Sequence, residues 1–179
     1  YISDRLYRLN ELERRKLPKL DKKINQLELI NGITYDESQK EAIYKALNNN
    51  FTIITGGPGT GKTTIIKCIV KLLIEINGLK QDRLALLAPT GRAARKLMDT
   101  TGIPAYTIHK YLKWDKDKNE FSVNEYCPNK EEYIIVDEAS MIDSVLMSSL
   151  LKGITYRAKI ILVGDYYQLP SVSQGQVLK

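Results

Sequence analysis

The feature that most constrains the fold of this 179-residue chain is the run GGPGTGKT at residues 56–63. An apolar stretch, FTIIT, precedes this run, and a helical pattern over residues 63–76 follows it. In a strand-loop-helix unit, small residues let successive backbone amides curve around phosphate oxygens, and the helix N-terminus adds partial positive charge. The run matches the pattern G-x-x-x-x-G-K-[ST] of a P-loop. It therefore predicts an α/β fold that binds a nucleotide phosphate.

The P-loop also predicts which groups bind ATP and Mg²⁺. Lys62 can reach the β- and γ-phosphates, and the Thr63 hydroxyl can ligate Mg²⁺. The residues predicted to bind the nucleotide in and just after the loop are Gly57, Gly59, Thr60, Gly61, Lys62, Thr63 and Thr64.

Apolar runs and helical patterns alternate along the rest of the chain. The predicted strands cover residues 51–55, 84–88, 133–136 and 159–163, and they read as strands buried on both faces. Helices are predicted between them at residues 63–76, 91–98 and 140–151. This alternation predicts a parallel sheet with helices on both faces, a three-layer α/β/α domain. Apolar segments on either side of a polar turn at residues 115–119 predict a β-hairpin insert over residues 111–124.

The chain divides into a helical N-terminal extension, residues 1–32, and a domain over residues 33–179. Leucine and isoleucine recur at helical spacing in the extension, and Pro18 breaks the run into two helices. The apolar stripe must pack on this domain or on a neighbour, and we favour a solvated helical linker over any chemical role. A further helix ending near Leu47 begins with a capping box formed by Thr34 and Glu37.

Composition narrows the function classes. The net charge of +6 and pI near 9.2 fit a polyanionic partner, and they equally fit a lysine-rich solvated surface. No apolar run reaches the roughly 18 residues of a membrane span, which predicts no membrane partner. Cys68 and Cys127 form no metal or redox motif, Cys68 is expected to be buried, and a cytoplasmic protein is the default expectation.

Two acids follow the third predicted strand in the run YIIVDE at residues 133–138. The carboxyl end of this strand lies at the edge of the sheet where the P-loop emerges. Asp137 is predicted to hold Mg²⁺ through water, and Glu138 to orient and deprotonate the attacking water. Gln168, in the loop after the fourth strand, can sense the γ-phosphate or the attacking water, although a plain turn residue is the alternative.

Five motifs occur in a characteristic order. They are GGPGTGKT at 56–63, APTGRAA at 88–94, TIH at 107–109, DEASM at 137–141 and GDYYQLPSV at 164–172. Together they resemble motifs I, Ia, Ib, II and III of superfamily 1 helicases, and their wording is similar to the RecD branch that includes the exodeoxyribonuclease V alpha chain. The resemblance covers residues 34–179. It implies the first RecA-like motor domain of a DNA helicase, which couples ATP hydrolysis to 5′→3′ movement along single-stranded DNA in recombination and repair.

The resemblance also assigns roles to single residues. Gln39 matches the glutamine that reads adenine, although a solvent-facing helix residue is the alternative. Pro89, Thr90 and Arg92 match a motif that contacts the DNA backbone, and a hydroxyl and a guanidinium are good phosphate ligands. Thr107 and His109 match a further DNA-contacting motif, although a lone histidine is more often structural. In the hairpin, Trp114 and Phe121 could stack on bases, but we favour their packing against each other.

The chain departs from the family pattern after its third motif. Motifs IV, V and VI, which belong to a second RecA-like domain carrying arginine fingers, have no counterpart in residues 1–179. The expectation is therefore a fragment that binds ATP, hydrolyses it poorly and needs the second domain. Other expected partners are single-stranded DNA and, if the parent works in a complex, further nuclease or helicase chains. A P-loop enzyme without translocation, such as a small-molecule kinase, and a passive nucleotide-binding module are the alternatives.

Overall fold

A parallel sheet forms the centre of the domain in the computed structural model, which describes residues 1–14 and 16–165. Its strands are β1 (Phe51–Thr55), β2 (Leu84–Ala88), β3 (Tyr106–Thr107), β6 (Tyr133–Val136) and β7 (Lys159–Gly164). A separate antiparallel pair is formed by β4 (Trp114–Asp115) and β5 (Glu120–Phe121). Within the described residues, the strand order of the large sheet is β1-β7-β6-β2-β3. Because its pairings are parallel, the carboxyl ends of these strands meet at one edge.

The predicted strands are confirmed, and one detail of their burial is wrong. β2, β6 and β7 are buried along their whole length, as continuous apolar runs predict. β1 was predicted to be buried as well, but Ile53 is 43% exposed while Thr52 and Ile54 are buried. β1 pairs only with β7 among the described strands, and its exposed side chains, Ile53 and Thr55, lie on the same face of the strand.

Helices cover both faces of the sheet and complete the three predicted layers. On one face lie α2 (Leu20–Asn31), α3 (Glu37–Asn48), α4 (Lys62–Lys71) and α5 (Gly91–Thr101), whose apolar residues share one core cluster with the sheet. On the other face lie α1 (Ile2–Glu11), α6 (Ile108–Tyr111) and α7 (Ser144–Lys152), which share a second cluster. None of the helices in the described part of the chain is long and apolar enough to cross a bilayer.

The N-terminal extension is part of this core, so its interpretation as a solvated linker is wrong. Leu9 of α1 is 1% exposed in one cluster, while Ile24 and Leu27 of α2 are buried in the other. The buried amide of Asn50 donates to the carbonyl oxygens of Leu9 (3.1 Å) and Leu12 (2.9 Å). The two helices thus pack on opposite faces of the sheet, and their apolar stripes meet the domain itself.

The start of α3 differs from its prediction by two residues. Asp36, rather than Thr34, is the N-cap, and its Oδ1 accepts from the backbone N–H of Gln39 at 2.8 Å. The Gln39 Oε1 in turn accepts from the Asp36 N–H at 3.1 Å, which completes a capping box. The backbone N–H of the buried Tyr35 donates to Glu28 of α2, and the N-cap Asp36 directly follows this tertiary contact.

Other boundaries differ too: α5 ends at Thr101 rather than at residue 98, and β7 ends at Gly164 rather than at residue 163. The predicted 63–76 helix is α4 followed by a π-helical turn at Leu72–Ile76, with Gly78 in the left-handed region just beyond. The predicted 140–151 helix is a 3₁₀ turn at Ala139–Met141 and then α7, which Asp143 caps through the Leu146 N–H. The hairpin is present: beyond β4 and β5, the backbone N–H groups of Ser122 and Val123 donate to the carbonyl oxygens of Lys113 (3.2 Å) and Leu112 (3.1 Å), while Tyr111 instead ends α6.

Candidate functional site

The loop at residues 56–61 joins β1 to α4 and requires glycine at Gly59 and Gly61. Their φ angles of +75° and +81° lie in the left-handed region, which strains any residue with a Cβ. A Cβ at Gly61 would also overlap with Nε2 of Gln39. A Cβ at Gly57 or Gly59 would meet nothing, so these positions are open on that side. The loop therefore has the shape that a phosphate cradle needs.

Lys62 is the first residue of α4, and its side chain contacts the backbone of this loop. Its Nζ donates to the carbonyl oxygen of Gly56 and to that of Gly57, the latter at 2.7 Å. Thr60 Oγ1 also donates to the Gly57 carbonyl, at 2.8 Å. The ammonium group and the hydroxyl thus lie at the centre of the predicted cradle.

Gln39 lies beside the loop rather than facing solvent. Its side chain is half-buried, and its Nε2 occupies the space next to Gly61. The predicted adenine-reading residue and the predicted phosphate-binding loop are therefore in contact. This contact comes from the packing of α3 on α4, which the sequence pattern alone does not indicate.

Asp137 and Glu138 follow β6 at the same edge of the sheet. The backbone N–H of Asp137 donates to Leu87 of β2 at 2.9 Å, and its Oδ1 accepts from the Glu138 N–H at 2.8 Å. Burial raises the pKa of Asp137, and the neighbouring Glu138 carboxylate raises it further, while Lys96 and Lys62 act in the opposite direction. Glu138 has a φ of +54°, a strained conformation that is common at functional sites.

These residues fit a magnesium ion held together with a nucleotide. Magnesium takes oxygen ligands, usually one or two from the protein plus phosphates and water. Thr63 supplies a hydroxyl at the start of α4, and Asp137 supplies a carboxylate whose negative charge is disfavoured by burial. A divalent cation would offset that unfavourable charge.

The predicted DNA-contacting residues lie at the same sheet edge, beyond β6. Thr90 follows β2 and Thr107 ends β3, and these two strands pair through Ala88 and Thr107. The hydroxyls of both threonines are N-caps: Thr90 accepts from Ala93 N–H and Thr107 from Lys110 N–H, each at 3.2 Å. Pro89 is half-buried in the loop after β2, and Arg92 is exposed on the first turn of α5.

His109 belongs to an aromatic cluster at the hairpin. Trp114 and Phe121 pack edge to face with ring centroids 4.8 Å apart, as we favoured from the sequence. The His109 ring lies 6.1 Å from Trp114 and 5.6 Å from Phe121. The cluster is at the surface, since His109 is exposed and Trp114 is 36% exposed.

Two basic residues on α5 were missing from the predicted site. Arg95 and Lys96 lie with Arg92 and Asp99 on one shallow, open surface of α5. Lys96 also lies close enough to Asp137 to lower the pKa of that carboxyl group. The four-residue spacing of Arg92 and Lys96, which places them on one helix face, is the signal that could have indicated them. Gln168, the predicted γ-phosphate sensor, lies outside the described residues.

Comparison with known proteins agrees with this arrangement. A family model described as an AAA domain matches residues 39–174. The RecBCD enzyme subunit RecD of Buchnera aphidicola is 37% identical over 159 residues, which cover 79% of this chain and 26% of that protein. The ATP-dependent RecD2 DNA helicase of Deinococcus radiodurans is 40% identical over 139 residues, covering 78% of this chain and 19% of that protein. The chain thus spans about a quarter or less of the length of these relatives.

Solved structures show the same fold. The Pif1 helicase from Candida albicans superposes with a TM-score of 0.58 at 22% identity, covering 79% of this chain and 35% of the other. A Pif1 helicase from Bacteroides, crystallised with ADP-AlF3 and single-stranded DNA, gives a TM-score of 0.54 at 22% identity, covering 79% and 34%. The fold is therefore that of a RecA-like helicase domain. With its P-loop and the family match over residues 39–174, this chain belongs to the AAA domain family and is a homologue of the RecD and RecD2 helicases.

Proposed function

We propose that this chain is the ATP-binding half of a DNA helicase motor, which couples ATP hydrolysis to movement along single-stranded DNA. The observation that carries the proposal is the arrangement of one sheet edge. The P-loop leaves β1 there, and the Asp137-Glu138 pair leaves β6. The basic start of α5 follows β2 at the same edge. A nucleotide and a nucleic acid bound at this edge would be connected through the β-strands that lie between them in the sheet.

Nucleotide binding would use the residues of the loop and its neighbours. Lys62 would exchange its loop carbonyl contacts for the β- and γ-phosphates, which are stronger, charged acceptors. Thr63 and Asp137 would hold Mg²⁺, which neutralises charge on the phosphates. Glu138 would orient the attacking water and accept its proton. Gln39 would read the adenine base from beside Gly61.

Single-stranded DNA would bind across the loops after β2 and β3. Arg92, Arg95 and Lys96 offer cationic groups for backbone phosphates along the exposed surface of α5. Pro89, Thr90 and Thr107 would contact the strand through the same two loops. The surface cluster of His109, Trp114 and Phe121 adds aromatic faces on which bases could stack, as an alternative to a purely structural role.

A complete motor would need more than this chain's residues. The relatives are several times longer, and closing the nucleotide cleft in this superfamily takes a second RecA-like domain with arginine fingers. We therefore propose that the chain alone binds ATP·Mg²⁺ and hydrolyses it slowly. By the same resemblance, the whole protein would move 5′→3′ in recombination or repair, alone or beside other nuclease or helicase chains.

ATP binding and hydrolysis, measured with and without single-stranded DNA, test this proposal. In Lys62→Ala, ATP affinity is expected to fall by at least about tenfold, because the phosphates lose their charged donor. The control is Lys67→Ala, an exposed lysine on the same helix, which is expected to bind ATP normally. Adding the second domain is expected to raise turnover and make it respond to DNA.

The outcomes separate the alternatives. Equal ATP binding by Lys62→Ala and the wild type would refute the P-loop site. ATP turnover that DNA leaves unchanged, even with the second domain, would favour a P-loop enzyme without translocation. Binding without any turnover in that longer protein would favour a passive nucleotide-binding module.

A further inference from the structure

Glu28 of α2 contacts the start of α3 through two groups, a backbone N–H and a lysine side chain. Its Oε1 accepts from the backbone N–H of Tyr35 at 2.9 Å. The same oxygen lies 3.2 Å from the Nζ of Lys40, in an ion pair whose side chains are 16% and 25% exposed. The Tyr35 hydrogen bond, followed by Lys40, lowers the pKa of Glu28, so the carboxylate stays charged at neutral pH.

The two contacts bracket the segment that holds Gln39. Tyr35 and Lys40 stand on either side of the capping box in which Asp36 and Gln39 exchange hydrogen bonds. The box directs the Gln39 amide so that its Oε1 faces the Asp36 N–H and its Nε2 lies against Gly61. Movement at Tyr35 or Lys40 would therefore move Gln39 relative to the loop.

The helix that carries Glu28 is itself tied to the helix that follows the loop. Asn31 at the end of α2 accepts from the Nζ of Lys71 on α4 at 2.8 Å. Ile24 and Leu27 are buried in the same cluster as Ile66 and Ile69 of α4. Since α2 contacts both α3 and α4, it sets the position of Gln39 with respect to the P-loop.

We propose that Glu28 is a positioning residue for nucleobase recognition: by holding the start of α3, it keeps the Gln39 amide beside the phosphate-binding loop. The inference rests on the proposed function, in which Gln39 reads adenine. It gives the N-terminal extension a role in choosing the nucleotide. The ligand class is a purine nucleoside triphosphate. The part of the binding free energy that depends on Glu28 comes from the base and not from the triphosphate.

Glu28→Ala tests the proposal through two ligands, ATP and inorganic triphosphate, each with Mg²⁺. The affinity for ATP is expected to fall by about fivefold, the weight of one hydrogen bond. The affinity for triphosphate, which has no base, is expected to stay unchanged and thereby shows that the loop is still folded. Glu28→Gln keeps an acceptor for the Tyr35 N–H, so it is expected to retain most of the ATP affinity.

Three further variants complete the design. Glu41→Ala removes another carboxylate at α3, one that pairs with Lys45 at 2.6 Å on the exposed side, and is expected to bind both ligands normally. Gln39→Ala is expected to lose as much ATP affinity as Glu28→Ala. The double variant is expected to lose no more than either, because both changes remove the same base contact.

Each contrary result overturns the inference in a recognisable way. Equal loss of ATP and triphosphate in Glu28→Ala would mean that Glu28 supports the fold only. Unchanged ATP affinity in Glu28→Ala, with a loss in Gln39→Ala, would mean that Gln39 needs no positioning. Unchanged affinity in Gln39→Ala would remove the premise that it reads adenine. Failure of the P-loop assignment is separate, since it requires Lys62→Ala to bind triphosphate normally.

Discussion

The identity of Gly61 is restricted both by its backbone conformation and by its packing. Gly61 combines a φ of +81° with a side-chain amide in the space where a Cβ would lie. Neighbouring Gly57 has neither restriction. The two glycines look alike in the sequence motif, but only Gly61 is restricted by conformation and packing, while the space beside Gly57 is open.

We expect Gly61→Ala to lower the free energy of unfolding by about 1–2 kcal/mol, the cost of a left-handed conformation for a residue with a Cβ. Gly57→Ala, the matched control in the same loop, is expected to leave stability nearly unchanged. Urea unfolding followed by circular dichroism measures both. Equal stability of the two variants would contradict the strain assigned to Gly61.

The two cysteines are expected to differ in reactivity. Burial raises the pKa of Cys68 to about 11, so its thiolate is scarce at neutral pH, and the side chain is only 1% exposed. Cys127 is exposed. With a chromogenic disulfide reagent at about pH 8, one thiol is expected to react quickly in the native protein and two after denaturation. Rapid reaction of both thiols in the folded protein would show that Cys68 is accessible.

At the scale of elements, the sequence predicted most reliably where one local signal decides the outcome. The bounds of β1, β2 and β6 match their predictions because each is an apolar run that ends at a turn or a motif. The start of α3 was misplaced because two local capping patterns overlap, Thr34 with Glu37 and Asp36 with Gln39, and the helix uses the second. β3 is only two residues long, which is too short for a hydrophobic pattern to predict a strand.

In the candidate site too, the residues that a local motif indicates were predicted, and those that depend on tertiary packing were not. The sequence places Lys62, Asp137 and Glu138 at the carboxyl edge of the sheet because each motif follows an apolar strand, and the structure agrees with that placement; their roles in binding and catalysis stay predictions. Lys96 was missed because its nearness to Asp137 depends on how α5 packs on β2. The contact between Gln39 and Gly61 likewise depends on the packing of α3 against α4.

The attachment of α1 to the domain can be tested at one buried residue. Leu9→Ala is expected to lower the free energy of unfolding by about 2–4 kcal/mol, the usual cost of a cavity at a buried leucine. Tyr7→Ala is the control, since Tyr7 lies on the same helix and is 68% exposed. If Leu9→Ala unfolded at the same denaturant concentration as the wild type, α1 would be an appendage and not part of the core.

At the scale of the whole molecule, the sheet places the proposed nucleotide site and the proposed DNA site toward opposite ends of one edge. The P-loop stands at β1, at one end of the described sheet, and the loops after β2 and β3 stand at the other. β6, with Asp137 and Glu138 at its end, lies between these ends. In the motor that we propose, a change at the γ-phosphate would have to reach the DNA strand through the packed elements between these two ends.

Arg92 offers a test of the DNA side of this arrangement. Arg92→Ala is expected to weaken binding of single-stranded DNA of any sequence and to reduce the slope of log affinity against log salt by about 0.7, the value for one lost phosphate contact on a single strand. Arg8→Ala, an exposed arginine on α1, removes the same charge elsewhere and is expected to leave the slope unchanged. Fluorescence anisotropy across a salt series measures both. Equal slopes for the two variants would mean that net charge, rather than the loop after β2, attracts the DNA. A shallower slope in Arg92→Ala alone, with ATP affinity intact, would place the strand on α5 and leave the nucleotide site as a separate part of the same edge.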